Sequence, residues 1–259
     1  MNAPLVRCTD ISVKIGSKVI LDKVNIQFNS GEFTVLLGPN GTGKSTLLKT
    51  LSNEIPYEGQ HYLFGKPSQE WDKKLLARQF GVLPQSSSLT FNFTAQEVVE
   101  LGGLTLNGGQ KEITRVAKDK MCQTGISHLA QRLYPTLSGG EKQRVHFARV
   151  LTQLSAIEHS KILFLDEPTS ALDLSHQHNT IQLAKAQAES GACVVAVLHD
   201  LNLAAQYADR IVVLNKGNIA ADGTPWEVLT PEILEQVYQW KTQVLPHPQS
   251  QRPVVLSAA

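Results

Sequence analysis

Cysteine is scarce in this 259-residue chain, which holds only Cys8, Cys122 and Cys193. They are odd in number and far apart, and no CxxC or Cys/His spacing accompanies them. That excludes a disulfide framework and a zinc module and leaves reduced thiols. Charge of one sign is lacking too, since the formal net charge is +1. Nothing in the overall balance drives the chain toward nucleic acid or anionic lipid, so no nucleic-acid partner is expected. The opening MNAPLVRCTD has no apolar h-region, and no apolar run approaches the roughly 18 residues of a membrane span. A cytoplasmic location is therefore expected, and any work at a membrane requires other subunits to bring the chain there. Internal repeats, low-complexity blocks and heptad arrays are missing as well.

Apolar residues are plentiful, at 42% against 18% charged. That supports one large domain, or one domain with a lobe inserted in it. Residues 5–28 read as two β-rich segments around a turn at Gly16–Ser17. FTVLL (33–37) is a short continuous apolar run and reads as a buried strand, and FGVLP (80–84), KILFLDE (161–167), CVVAVLHD (193–200) and RIVVLNKG (210–217) read as further strands. Helical patterns lie between several of them, beginning at Lys44 with Leu47, Leu48 and Leu51 on one face. Alternating strands and helices predict an α/β core with a largely parallel sheet. Residues 86–153 are helical in pattern, punctuated by Gly102–Gly103 and Asn107–Gly108–Gly109, and read as an inserted helical lobe. The division expected is a core at 1–85 and 154–240, a lobe at 86–153, and a loosely ordered tail at 241–259 with Pro246, Pro248 and Pro253.

Three motifs carry chemistry. Gly38-Pro39-Asn40-Gly41-Thr42-Gly43-Lys44-Ser45 fits GxxxxGK[ST] at every fixed position, followed by Thr46. It joins a predicted strand to a predicted helix, so backbone N–H groups and a helix N-terminus converge on phosphate. Lys44 is placed to reach β- and γ-phosphates, and Ser45 to ligate Mg²⁺. Asp166 and Glu167 end the strand ILFL at the edge where ligands bind in parallel sheets. They suit an Mg²⁺ shell and the activation of water, although solvated acids at a strand end are common. In Leu137-Ser138-Gly139-Gly140-Glu141, Ser138 and Glu141 form an S-x-x-E capping box, so a plain helix start is one reading. The two glycines behind the cap expose a second anion-binding helix N-terminus. One chain cannot easily aim both N-termini at one phosphate chain; two chains facing head to tail can.

In this order the motifs resemble those of the nucleotide-binding subunits of ATP-binding cassette (ABC) transporters, from about residue 5 to about residue 240. The resemblance implies a P-loop NTPase core with a parallel-rich sheet, an N-terminal antiparallel β subdomain and an inserted α-helical lobe. It makes Gly38–Thr46 the Walker A loop, Gln85 the Q-loop glutamine, Leu137–Glu141 the signature and Ile162–Glu167 Walker B. Ser170–Asp173 becomes the D-loop and His199 the switch histidine. It implies ATP and Mg²⁺ as ligands, with Ser45, Gln85 and Asp166 at the metal and Lys44, Gln85, Glu167 and His199 in catalysis. It also implies a homodimer that closes each phosphate site with the other copy's Ser138–Glu141. Where relatives often stack an aromatic on adenine, this chain has Ile15.

A single cassette without spans resembles bacterial importer subunits. The segments VLPQSSSLTFNFTAQEVVELG and HDLNLAAQYADRIVVLNKG resemble importers for iron-siderophores, haem and vitamin B12, and residues 149–178 look most like the haem (haemin) importer ATPases. That implies two integral-membrane permease subunits, an indirect periplasmic haem-binding protein, and a peripheral place on the cytoplasmic face of the bacterial inner membrane. The segment Ser86 to Phe93 is the expected coupling surface, with Phe91 and Phe93 either in its groove or in the lobe core. His176 and His178, two apart, do not share a helix face and suit solvated or interface roles. A soluble ABC protein that remodels another complex is the reading from a different class, and a phosphotransferase the third.

Overall fold

The computed structural model describes residues 4–85, 91–158 and 160–258. Strands β1 (Pro4–Ile15) and β2 (Lys18–Asn29) form an antiparallel hairpin closed by Gly16–Ser17, with Ile15 opposite Lys18. Alternate residues turn inward, but the alternation slips between Cys8 and Ile11. The slip is a bulge: Asp10 adopts φ 51°, and Asn25 Oδ1 accepts its N–H at 3.0 Å.

The chain continues through β3 (Phe33–Leu37), α1 (Lys44–Leu51), β4 (Glu58–Leu63), β5 (Lys66–Pro67), α2 (Lys73–Ala77) and β6 (Phe80–Leu83). The helical region holds α3 (Ala95–Glu100), α4 (Gln110–Gln123) and α5 (Gly139–Leu154). The remainder is β7 (Ile162–Asp166), α6 (Leu174–Glu189), β8 (Cys193–Val197), α7 (Leu201–Tyr207), β9 (Arg210–Asn215), β10 (Asn218–Gly223), α8 (Pro225–Val228), α9 (Pro231–Tyr238), β11 (Thr242–Pro246) and β12 (Pro253–Ser257).

Six strands form one sheet in the order β10-β9-β3-β8-β7-β6, parallel except for β10. A second, antiparallel sheet runs β2-β1-β4-β5. The continuous apolar strands are buried on both faces. Leu36, Phe164 and Val195 face one core with α1 and the antiparallel sheet; Val35, Leu165 and Ala196 face another with α5, α6, α7 and α9. Leu47, Leu48 and Leu51 lock α1 between the two sheets, each fully buried leucine adding about 1.5–3 kcal/mol.

The helical region has its own apolar cluster, built from Val98, Val99, Met121, Leu129 and Tyr134. Helix α5 belongs to both, with Val145 and Ala148 in that cluster and Phe147, Val150 and Leu151 in the core. Gly102 and Gly103 prove to be packing residues rather than loop punctuation. A methyl on Gly102 would stand 2.2 Å from the Arg149 carbonyl oxygen, and one on Gly103 would stand 2.4 Å from Ile113.

The expected loose tail is corrected. Strands β11 and β12 pair from Thr242–Ser257 to Pro246–Pro253, and Val244 and Val255 pack on the core. The two prolines face each other at the turn end, where proline is tolerated in a two-stranded edge ribbon. Side chains fasten the hairpin. Asn202 donates to the Val255 carbonyl at 3.1 Å and accepts its N–H at 2.7 Å, and Arg252 donates to the Ala208 carbonyl at 2.9 Å.

Candidate functional site

The C-terminal ends of β3, β6, β7 and β8 share one edge of the parallel sheet, and each leads to a residue singled out above. From β3 the chain enters the glycine loop. Gly38 has φ 139°, and a Cβ there would stand 2.1 Å from the Leu214 carbonyl oxygen, so no side chain fits. Gly43, at φ 104°, has no room either, with Leu21 Cδ2 at 2.8 Å and the Ile20 carbonyl oxygen at 3.1 Å. Thr42 Oγ1 donates to the Pro39 carbonyl at 2.9 Å and braces the loop from within. No side chain caps α1, so its first N–H groups stay available to an anion.

Lys44 is buried, and its Nζ donates to the carbonyls of Gly38 at 2.7 Å and Pro39 at 3.0 Å. Burial pushes its pKa down, while the nearby Glu167 and Asp166 push it up. Ser45 Oγ donates to Asp166 Oδ1 at 2.9 Å. Burial raises the Asp166 pKa, partly offset by that hydrogen bond. Glu167, the next residue, holds φ 51°, and its Oε1 meets His199 Nε2 at 2.7 Å. Asn40, Gly41, Lys44, Ser45 and Thr46 line one cavity of about 510 Å³ with Gln85, Glu167 and His199. The fold thus gathers groups from four separate stretches of chain. A loop of amides, a cation, a hydroxyl, two carboxylates and an imidazole can hold a phosphate chain and act on a water beside it.

The signature residues lie elsewhere. Ser138 caps α5 with the reciprocal bonds expected of the box, Glu141 N–H to Ser138 Oγ at 3.3 Å and Ser138 N–H to Glu141 Oε2 at 2.7 Å. Arg132 pairs with Glu141 at 3.1 Å, and bonding to the Ser138 backbone holds the Glu141 carboxyl below its usual range. Ser138, Gly139, Gly140 and Glu141 line a different cavity, of about 490 Å³, whose other wall carries Ala171, Asp173 and His176. Within one chain, therefore, the starts of α1 and α5 line different cavities.

Other placements were not anticipated. Lys18 and Ile20 line the cavity at the glycine loop, whereas Ile15 stands 61% exposed at the hairpin tip. The two-residue turn was the signal for this, because it sets β2 beside the loop. Gln143, three residues after Gly140 on α5, donates through Nε2 to the Glu167 carbonyl at 2.8 Å. His176 Nδ1 lies 3.5 Å from Arg144, and His178 Nδ1 bonds Tyr207 OH at 2.9 Å, so the two histidines point to different neighbours. Of the expected coupling segment, residues 86–90 lie outside the described residues. Phe91 is 67% exposed, and Phe93 is half-buried against the lobe cluster.

Known proteins sort this geometry. The chain is 53% identical over 257 residues to the hemin import ATP-binding protein HmuV of Photobacterium damsela subsp. piscicida, covering 99% of this chain and 97% of that one. It is 55% identical over 250 residues to the protein of the same name from Vibrio cholerae serotype O1, covering 96% of each. Among solved structures, a metal-chelate type ABC transporter in an inward-facing conformation superimposes with a TM-score of 0.81 at 26% identity, covering 100% of this chain and 98% of that one. An ATP-binding cassette of an ABC transporter in its ADP conformation shares the fold at a TM-score of 0.75 and 23% identity, covering 90% and 98%. With the ABC transporter model matching residues 21–170, across the glycine loop, the signature and the Asp166–Glu167 strand end, the chain belongs to the ABC transporter family.

Proposed function

We propose that this chain is the ATP-hydrolysing subunit of a transmembrane importer for haem. The observation that carries the mechanism is the split site. The phosphate cavity and the Ser138–Glu141 cavity are separate within one chain. A second copy turned head to tail supplies its α5 start to the first copy's phosphates, and the reverse, so two ATP molecules join the pair. The cargo comes from the hemin import relatives, which match over almost the whole chain.

Ser45, Asp166 and Gln85 offer oxygen donors on one side of the loop, two of them already hydrogen-bonded to each other. That hard set suits Mg²⁺. These residues would hold the ion, which would neutralise charge on the β- and γ-phosphate oxygens. Lys44 leaves the loop carbonyls for the same oxygens, and the backbone N–H groups of residues 40–46 wrap the chain of phosphates. Glu167 takes a proton from the attacking water, and His199, bonded to its carboxylate, holds it in line and faces the γ-phosphate. The water oxygen joins phosphorus, the bridging oxygen leaves with ADP, and inorganic phosphate is released.

A cavity of about 860 Å³ lies away from the glycine loop. It is lined by Ile55, Tyr57, Trp71, Leu76, Phe80 and Val82, the last two on the strand that leads to Gln85. An apolar segment of an integral-membrane permease subunit docks there, one per copy. Movement at Gln85 then reaches the membrane subunits, while a periplasmic haem-binding protein meets only their far side. Among the described residues no helix is long and apolar enough to cross a membrane; a peripheral place on the cytoplasmic face of the inner membrane follows from the permease partners of this reading.

The test is Glu167→Gln. It keeps the shape but removes the base and a negative charge, so ATP should be bound, barely hydrolysed, and trap a dimer on size-exclusion chromatography. A variant that stays monomeric in saturating ATP and turns over near the wild-type rate would refute the assignment.

A further inference from the structure

We propose that Gln143 is a positioning residue that makes the catalytic setting of Glu167 conditional on the helical lobe. The inference rests on the reading of Glu167 as the base. Glu167 occupies φ 51°, a conformation a non-glycine residue keeps only when its surroundings enforce it. Its carbonyl accepts from Ser170 N–H at 3.3 Å and Ser170 Oγ at 3.2 Å, both long and both from the same turn. The shorter bond, 2.8 Å, comes from Gln143 Nε2, and it alone of the three reaches across from α5. Gln143 Oε1, by contrast, is buried with no hydrogen-bond partner. An apolar side chain of similar length would fill the position without leaving that oxygen unsatisfied. The amide therefore serves its N–H, which is aimed at Glu167.

The same face of α5 is pressed onto the loop that follows. A Cβ on Gly140 would stand 2.6 Å from the Ala171 carbonyl oxygen, so the helix start and the loop 167–173 have no slack between them. Because α5 also carries part of the lobe cluster, a swing of the lobe moves Gln143 with it. When α5 is seated, the Glu167 carbonyl is held and its carboxylate stays on His199, 2.7 Å away. When α5 withdraws, the tie is lost and Glu167 is free to relax to negative φ, which turns the carboxylate away from His199. Hydrolysis then waits on the lobe's position even with ATP bound.

The test uses the full chain assembled with its membrane subunits, comparing Gln143→Met, Gln143→Glu and Glu167→Gln with wild type. The methionine variant should lose kcat roughly 10- to 100-fold, as small misplacements of reacting groups do. Its KM for Mg·ATP should stay near wild type, and its melting temperature should be equal or higher. Gln143→Glu should show a similar loss at pH 8. Its rate relative to wild type should rise as the pH falls, because a protonated carboxyl can again donate to the Glu167 carbonyl. A methionine variant with unchanged kcat, alongside an inactive Glu167→Gln, overturns the role of Gln143 and leaves that of Glu167 standing. Parallel losses of kcat, nucleotide binding and melting temperature also overturn it, since they mark a merely structural side chain. An active Glu167→Gln instead overturns the premise.

Discussion

Gly139 and Gly140 are neighbours in the first turn of α5, yet a methyl group added to each should have opposite effects on stability. Neither is at positive φ, so alanine meets no backbone strain at either position. At Gly139 the nearest neighbour of an added Cβ is the Ala171 methyl at 3.8 Å, an ordinary contact. The substitution then gains up to about 1 kcal/mol from helix propensity, less at a helix end. At Gly140 the added Cβ stands 2.6 Å from the Ala171 carbonyl oxygen and 3.3 Å from Leu172 Cδ2. Relieving that overlap moves backbone, at a cost of about 1–3 kcal/mol, which outweighs the propensity gain. At roughly 2–4 °C per kcal/mol for a chain of this size, Gly139→Ala should melt slightly higher than wild type and Gly140→Ala about 2–6 °C lower. ATPase activity should fall in both, because under the proposed head-to-tail pairing either methyl stands on the surface that faces the other copy's phosphates. Differential scanning calorimetry and a steady-state ATPase assay on the same preparations separate the two effects. Equal melting temperatures would refute the close packing of α5 on the 167–173 loop. Full activity in Gly139→Ala would refute the signature as the closing surface.

Lys44→Ala should lose ATPase activity and bind nucleotide weakly while keeping its melting temperature, and normal hydrolysis by the pure variant would exclude the glycine loop as the phosphate site. His61 is 4% exposed with neither ring nitrogen hydrogen-bonded, and burial pushes its pKa down from 6.5 to about 4. The unfolded chain takes up its proton below about pH 6.5 while the folded chain waits until about pH 4, so stability falls as pH drops through that window, by at most about 3 kcal/mol. Urea titrations of His61→Leu should show a flatter pH dependence than wild type, with the remainder from His146, also lowered to about 4 by burial and Arg149; an unchanged profile would contradict the burial of His61. Phe91→Ser should keep wild-type stability yet copurify poorly with the membrane subunits, whereas Phe93→Ser should lower the melting temperature; the reverse pattern would exchange their roles.

Much of the fold was legible because the signals were local. Phe33–Leu37 is an apolar run broken only by Thr34, and Ile162–Leu165 is continuously apolar, which two-sided burial explains, and Ser138 with Glu141 announces a helix start through groups three residues apart. What was not legible depended on packing between distant segments. Pro246 and Pro253 look like chain breakers, and nothing near them says that they will face each other across a ribbon held by Asn202. Gln143 is one polar residue on an amphipathic helix; its value comes from a carbonyl that only the folded sheet brings near. Lys18 and Ile20 could have been found from the two-residue turn, but Phe91 and Phe93 could not be told apart without the lobe cluster beneath Phe93. The wide cavity around Trp71 draws on stretches on both sides of β4, none of them distinctive alone.

The place of β3 in its sheet bears on how the protein is made. Its neighbours on either side are β8 and β9, so Val35 waits for Ala196 and Ile211 to leave the ribosome before either of its edges is covered. At typical synthesis rates that interval is on the order of ten seconds, during which a five-residue apolar strand has no sheet to join. The antiparallel hairpin at the N-terminus can form early; the glycine loop cannot, since Gly38 is moulded against the Leu214 carbonyl. Nascent chains arrested before residue 215 should therefore be unable to retain ATP and should depend on chaperones that shield hydrophobic strands. Nucleotide binding should thus be acquired late, in the step in which β9 closes the sheet.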